Sequence, residues 1–266
     1  MDEYLQFAKD LAYKAGDIML AHFKAGVATA TKADNTPVTV ADTAINSLVI
    51  NTVKIVFPEH GILGEEQSDF VQGTQFVWVC DPIDGTSAYA MGVPTNMFSL
   101  ALVENGSPII AVLYDPYLDR MYHTVKGGSA YMDTAGDNTQ VLHVSSQADL
   151  QDCKITLPAW KIKNHDVSKI LHMLIEENVH CFATQSTTYE AALVTSGQIT
   201  AAIYLGTAPW DIAAAALLVK NAGGSITSLD GTSIDRYDTA IPNGAIISNG
   251  LIQPALLELI KKDVSL

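Results

Sequence analysis

Asp81-Pro82-Ile83-Asp84-Gly85-Thr86 sets two carboxylates three residues apart, directly after the apolar run Phe76-Val77-Trp78-Val79-Cys80. A buried strand followed by a turn delivers Asp81, Pro82 fixes one φ angle, and Gly85 lets the backbone approach an anion closely. Thr86 adds a hydroxyl beside both acids. Carboxylates, a backbone carbonyl and phosphate oxygens together make an oxygen shell of the kind that Mg²⁺ takes. The chemistry that follows is metal-assisted attack on a phosphate ester. On its own, the hexapeptide reads equally well as a capped turn with Asp and Gly in their usual places.

Two further segments bear on that choice. Gly64-Glu65-Glu66 follows the turn-like Phe57-Pro58-Glu59-His60-Gly61, and Trp210-Asp211-Ile212-Ala213-Ala214-Ala215 opens a helical stretch far downstream. Taken alone, Asp211 is an acid at a helix start, where it complements the dipole. Glu65 and Glu66 compete for one role, and an exposed loop carboxylate is the plain reading of either. The three segments in this order resemble the inositol monophosphatase family of Mg²⁺-dependent phosphatases. The resemblance runs from the amphipathic N-terminal segment through Lys32 and Asp42 to Ala222-Gly223-Gly224.

That resemblance implies a layered αβαβα sugar-phosphatase fold, of mixed α+β and α/β character, with the site between two lobes. It assigns Glu65, Asp81 and the carbonyl of Ile83 to a first Mg²⁺, and Asp81, Asp84 and Asp211 to a second. A third, weaker ion near Glu65 brings the count to two or three. Thr86, held by Asp42 and assisted by Glu65, orients the attacking water. A Thr hydroxyl is a poor base near neutral pH, so its part is orientation. The N–H groups of Gly85 and Thr86 bind the phosphate. Asp84, Ser186, Thr187, Tyr204 and Asp211 complete the substrate side. Lys32 matches a family lysine near the metals, although a lone lysine is ordinarily a solvated side chain. The family also implies lithium sensitivity and a homodimer.

The chain departs from the family pattern on the alcohol side. Inositol-handling members carry a Glu seven residues before the Asp of the Trp-Asp pair, and here that residue is Tyr204. Many members carry an Arg shortly before a Gly-Ser or Gly-Thr, where this chain reads Phe182-Ala183-Thr184-Gln185-Ser186-Thr187. The expected substrate is a small phosphorylated polyol or sugar, with an inositol phosphate the foremost label. Histidinol phosphate, fructose 1,6-bisphosphate, 3′-phosphoadenosine nucleotides and NADP are the alternatives, and a non-catalytic metal-binding member is the alternative outside the enzyme class. An aspartyl phosphatase of the haloacid-dehalogenase type needs its acids at Asp-x-Asp spacing, one residue closer than Asp81 and Asp84.

Composition agrees with that reading. The 266 residues are 48% hydrophobic and 17% charged, enough for one large domain, 1–266, with lobes at about 1–135 and 136–266. The net charge of −14 opposes general affinity for nucleic acid or an anionic membrane, so a metal must supply positive charge to a phosphorylated metabolite. Cys80, Cys153 and Cys181 are too scattered for a zinc or redox pair. No run approaches the roughly 18 apolar residues of a membrane span, and Met1-Asp2-Glu3 lacks a signal's basic region, so the expected compartment is the cytoplasm. The seven histidines are scattered along the chain and read as surface or core residues, and Trp78 and Trp160 read as packing residues.

The elements that must position these residues follow from periodicity. Leu5, Ala8, Ala12, Ala15 and Met19 predict a helix over 3–24 ended by Gly26. A hairpin of 27–31 against 38–40, turning at 33–37, and a helix over 41–56 come next. Strands are expected at 76–80, 98–104, 108–114 and 120–125. In the second half strands at 155–157, 179–183, 201–205 and 245–248 alternate with helices at 165–178, 187–196, 210–222 and 251–262, which favours an α/β lobe.

Overall fold

The computed structural model describes all residues except 33–36, 71–72, 137, 161, 163–164, 242–243 and 262–266. In chain order the elements are α1 (Asp2–His22), β1 (Ala30–Thr31), β2 (Pro37–Val38), α2 (Val40–Val56), β3 (Gly61–Gly64), β4 (Phe76–Asp84), α3 (Thr86–Met91), β5 (Met97–Glu104), β6 (Ser107–Asp115), β7 (Arg120–Val125), β8 (Ala130–Thr134) and β9 (Asn138–Leu142). The second half adds β10 (Lys154–Thr156), α4 (Val167–Glu176), β11 (His180–Phe182), α5 (Thr187–Thr195), β12 (Ala201–Tyr204), α6 (Pro209–Asn221), β13 (Ser225–Thr227), β14 (Ala245–Ser248) and α7 (Gln253–Lys261).

Seven strands form one sheet in the order β3-β4-β5-β6-β7-β8-β9, and five form another, β11-β10-β12-β14-β13. Alternation along β4 explains the layering. Trp78 and Cys80 pack with α1 and α2 residues such as Leu11, Met19, Ile45 and Val49 on one face. Val77 and Val79 pack on the other, with Ala213 and Leu217 of α6 and Ala191 of α5. A strand buried on both faces reads as an unbroken apolar run, as 76–80 does. The same middle helices meet Ala202 and Ile247 of the second sheet. Leu174 of α4 and Leu256 of α7 cover that sheet's far face at Ile203 and Ile246. The stack is therefore helix, sheet, helix, sheet, helix, as expected.

Boundaries moved where side chains overrode periodicity. Helix α1 stops at His22, because Phe23 leaves the helical line with its ring 5.4 Å from that of Tyr89 and 4.5 Å from that of Tyr117. The expected hairpin is a two-residue pairing, Ala30 with Val38 and Thr31 with Pro37, and most of its turn lies outside the described residues. Helix α4 starts two residues later than expected, at an Asp166 cap that accepts from Lys169 N–H. The last expected residue of α7, 262, lies outside the described residues.

Strand β4 runs on through Asp84 instead of ending at Cys80, and its register carries the site. Asp81 pairs with Ser99 and Asp84 with Met97, so β4 advances three residues while β5 advances two. Residues three apart on a regular strand point to opposite faces. The extra residue is a bulge that returns both acids to one side.

Candidate active site

Carboxylate oxygens of Asp81, Asp84 and Asp211 all lie within 4.8 Å of one another. Two come from the bulged end of β4 and the third from the first turn of α6. Each acid is oriented by donors of its own. Ile83 N–H donates to Asp81 Oδ1 at 3.0 Å. Asp84 Oδ2 accepts from Ser186 Oγ at 2.7 Å, Thr188 N–H at 2.5 Å and Thr188 Oγ1 at 2.7 Å. Asp211 Oδ2 accepts from Ala208 N–H at 2.7 Å and Thr207 Oγ1 at 3.0 Å. Asp211 is thus both the acid of a helix cap and a member of the cluster.

Burial and mutual repulsion oppose ionisation of all three. Burial, then the charges of Glu65, Asp84 and Asp211, push Asp81 well above the ordinary carboxylate range. Asp84 is pushed up by burial against the pull of its Thr188 and Ser186 bonds. Burial and the charge of Asp84 push Asp211 up to about 7. Like charges this close, with one oxygen of each committed to protein donors, are stabilised by a cation of high charge and small radius. All-oxygen donors suit Mg²⁺, so the residues fit the ion.

Glu65 lines the same cavity of about 610 Å³, together with Ile83, Gly85 and Thr86. Its neighbour Glu66 is not part of that lining. Lys32 lies between them, its Nζ 2.6 Å from Oε1 of each. Burial works to lower the pKa of Lys32, but the bonds and charges of the two glutamates hold it above the ordinary lysine value. Lys32 is thus a counter-ion behind the site, and no lysine or arginine lines the cavity among the described residues.

Thr86 Oγ1 donates toward Asp42 Oδ1 at 3.2 Å and toward the Ile83 carbonyl at 3.1 Å. Asp42 is fully buried, and its Oδ2 accepts from Thr39 N–H at 2.8 Å and Thr39 Oγ1 at 2.5 Å. Thr39 and Asp42 form a reciprocal capping box at the start of α2. Burial pushes Asp42 up while the bonds from Thr39 and Thr86 hold its ionised form. Gly85, at φ 90°, caps the six-residue α3. A Cβ there would meet Ser186 Cβ at 2.9 Å and the carbonyls of Gln185 and Thr95 at 3.1 Å, so both conformation and space require glycine.

Three expected substrate residues lie elsewhere. Ser186 is buried and caps α5 while donating to Asp84, so it orients a carboxylate and does not face the cavity. Tyr204 is buried too, its hydroxyl donating to the Thr187 carbonyl at 2.9 Å. Tyr204 is thus tied to the start of α5 and is not among the described residues that line the cavity. Thr187 provides that carbonyl and is likewise absent from the cavity lining. Sequence reasoning missed Thr188 and Glu190, which accepts from Thr184 N–H at 3.1 Å and Thr184 Oγ1 at 3.0 Å beneath the same loop. It also missed Gln185, which lines the cavity in a left-handed conformation at φ 65°. Trp160, expected to pack, is 51% exposed at the cavity wall.

Comparison with known proteins matches this arrangement to one family. The profile of the inositol monophosphatase family aligns with residues 1–265. The chain belongs to that family. It is 32% identical over 256 residues to a histidinol-phosphatase of Mycobacterium tuberculosis, covering 95% of this chain and 96% of the relative. It is 31% identical over 218 residues to the Nus factor SuhB of Xylella fastidiosa, covering 80% and 77%. A solved IMPase of Thermotoga maritima superimposes with a TM-score of 0.87 at 27% identity, covering 98% of each chain. As a member of this family, the chain is a phosphoric monoester hydrolase acting on small phosphorylated substrates. No helix among the described residues is long and apolar enough to cross a membrane.

Proposed function

We propose that the chain hydrolyses a small phosphomonoester with Mg²⁺ held by Glu65, Asp81, Asp84, Asp211 and the carbonyl of Ile83, as two or three ions. The observation that carries the proposal is an acidic cavity whose described lining has no cation. A phosphate dianion is repelled by such a wall unless divalent ions reverse its charge. When bound there, Mg²⁺ would neutralise phosphate oxygens, lower the pKa of a water and stabilise the leaving oxygen.

The protein's own groups do the rest. Thr86 presents its hydroxyl oxygen to the attacking water, with Asp42 accepting the Thr86 proton and fixing its direction. Glu65 stands on the same wall as an acceptor. Asp84, held by Thr188 and Ser186, and Asp211, held at the start of α6, keep their positions without reorganising during the reaction. The backbone N–H groups of Gly85 and Thr86 are offered to the phosphate.

A phosphorylated polyol or sugar, such as an inositol phosphate, is the family's first expectation for the alcohol. Bisphosphates and phosphoadenosine nucleotides are less well served, since neither Lys nor Arg lines the described cavity. Lithium competition at the Asp84–Asp211 position and a homodimer belong to the same proposal, as does a single two-lobed domain. The cytoplasm is the proposed compartment, in keeping with three free thiols at Cys80, Cys153 and Cys181. Phosphate release across a panel of inositol 1-phosphate, 2-glycerophosphate, histidinol phosphate, fructose 1,6-bisphosphate and NADP, with and without Mg²⁺, tests the reading. Release from at least one monoester, only with Mg²⁺, is expected. No release from any of them contradicts it.

A further inference from the structure

The acidic cavity adjoins a larger one. Ala159 and Trp160, in the connection between β10 and α4, line both. The second is a cleft of about 960 Å³, walled among the described residues by Leu157, Leu171, Phe182 and Ala183 and carrying neither Lys nor Arg. Two aromatic rings stand open to water beside it, Trp160 at 51% and Phe182 at 39% exposure. His165 lines the same cleft, and its Nδ1 is buried without a hydrogen-bond partner. Exposed aromatic rings and an unpartnered ring nitrogen are unfavourable in the bare chain and become favourable beneath a flat, largely apolar body with a polar edge.

The alcohol side of the acidic cavity agrees. Tyr204 stands where inositol-handling relatives carry a carboxylate, and its hydroxyl is committed to the Thr187 carbonyl. The acceptor that a polyol ring would use at that position is missing.

We infer that the cleft walled by Trp160, Leu171 and Phe182 binds the leaving alcohol of the substrate, and that this alcohol carries an aromatic or heteroaromatic ring. The inference rests on the phosphomonoesterase reading and narrows its substrate class. The phosphate is bound in the acidic cavity, the ester linkage passes Ala159, and the ring stacks on Trp160. Hydrolysis is the family's own reaction: water's oxygen bonds to phosphorus, the P–O bond to the alcohol breaks, and the alcohol oxygen takes up a proton.

The experiment compares kcat/KM for 2-phenylethyl phosphate and 2-glycerophosphate, both with Mg²⁺, on the full chain and on Leu171→Gln and Ala183→Phe. The full chain should favour the phenylethyl ester about tenfold, the scale of one aromatic stacking contact with its buried area. Leu171→Gln, which makes the wall polar, and Ala183→Phe, which fills it, should each abolish most of that preference while 2-glycerophosphate turnover stays level. Hydrolysis of 2-glycerophosphate without any preference for the aromatic ester overturns the inference and leaves the phosphatase reading standing. So does a preference that both substitutions leave intact. A change of sedimentation coefficient in the variants overturns it differently, by making the cleft a contact between copies of the chain. Failure of both esters to be hydrolysed overturns the phosphatase reading and the inference with it.

Discussion

Asp84 at the end of β4 and Thr188 in the first turn of α5, 104 residues apart, are joined by two hydrogen bonds to the same carboxylate oxygen, from N–H at 2.5 Å and Oγ1 at 2.7 Å. This pair ties the carboxylate end of the seven-stranded sheet to the helix layer shared by both sheets. The geometry of Asp84 therefore depends on a residue that does not line the cavity.

Replacing Thr188 by Val removes the Oγ1 donor and keeps the backbone bond and the volume. Supporting partners of metal ligands are worth roughly 10- to 100-fold in affinity or activity. Thr188→Val should raise the Mg²⁺ concentration for half-maximal activity by about tenfold, with an unchanged circular dichroism spectrum. Thr188→Ser should lie close to the native protein.

Thr86→Val removes the hydroxyl that Asp42 orients. The loss in kcat should be about 10²- to 10⁴-fold, the range for a positioned proton-handling group. Thr86→Ser retains most activity. Similar activity in Val and Ser variants would remove Thr86 from the mechanism.

Lys32→Met leaves Glu65 and Glu66 facing each other without the shared ammonium that now sits 2.6 Å from each. In chelator the variant should be less stable by ~1–3 kcal/mol in urea denaturation, the cost of leaving a partly buried charged group unpaired. Saturating Mg²⁺ should recover part of that loss, because a cation near Glu65 replaces the missing charge.

Much of the candidate site is legible in the sequence, and the illegible part has physical causes. Asp81, Asp84 and Asp211 announce themselves through residue type and spacing. The bulge between Asp81 and Asp84 does not, because an odd spacing within a strand predicts opposite faces and only the pairing with Ser99 and Met97 shows the extra residue. Thr39 was available in principle as the first residue of a Thr-x-x-Asp cap before α2. Thr188 and Glu190 lie on a helix whose apolar residues show no one-sided pattern, so nothing marked which polar groups turn inward. Strand β3 escaped notice because Gly61-Ile62-Leu63-Gly64 is short and flanked by glycines, and β9 because four of its five residues are exposed.

Glu190, which is outside the described cavity lining but feels the charge of Asp84, supplies a pH test. Burial pushes its carboxyl up to about 7, from an ordinary value near 4.5. Between those pH values the unfolded chain has released the proton and the folded chain retains it, so stability falls as pH rises and the loss is complete above about 7. Glu190→Gln keeps an acceptor for Thr184 and removes the titration. In chelator, the variant's stability advantage should grow from pH 4.5 to about 7 and then level off, reaching on the order of 3 kcal/mol. A gap independent of pH would show that Glu190 ionises normally in the fold.

The most direct test is Mg²⁺ titration of phosphate release from 2-glycerophosphate by metal-stripped native protein and by Asp84→Asn. The substitution removes one charge from the Asp81–Asp84–Asp211 cluster and little volume. The native protein should be inactive in chelator and recover on adding Mg²⁺, while Asp84→Asn, equally folded, should stay at least 10²-fold less active at saturating Mg²⁺, a transition-state loss of about 2.7 kcal/mol. Native activity in chelator, or Asp84→Asn as active as the native protein, would contradict the assignment.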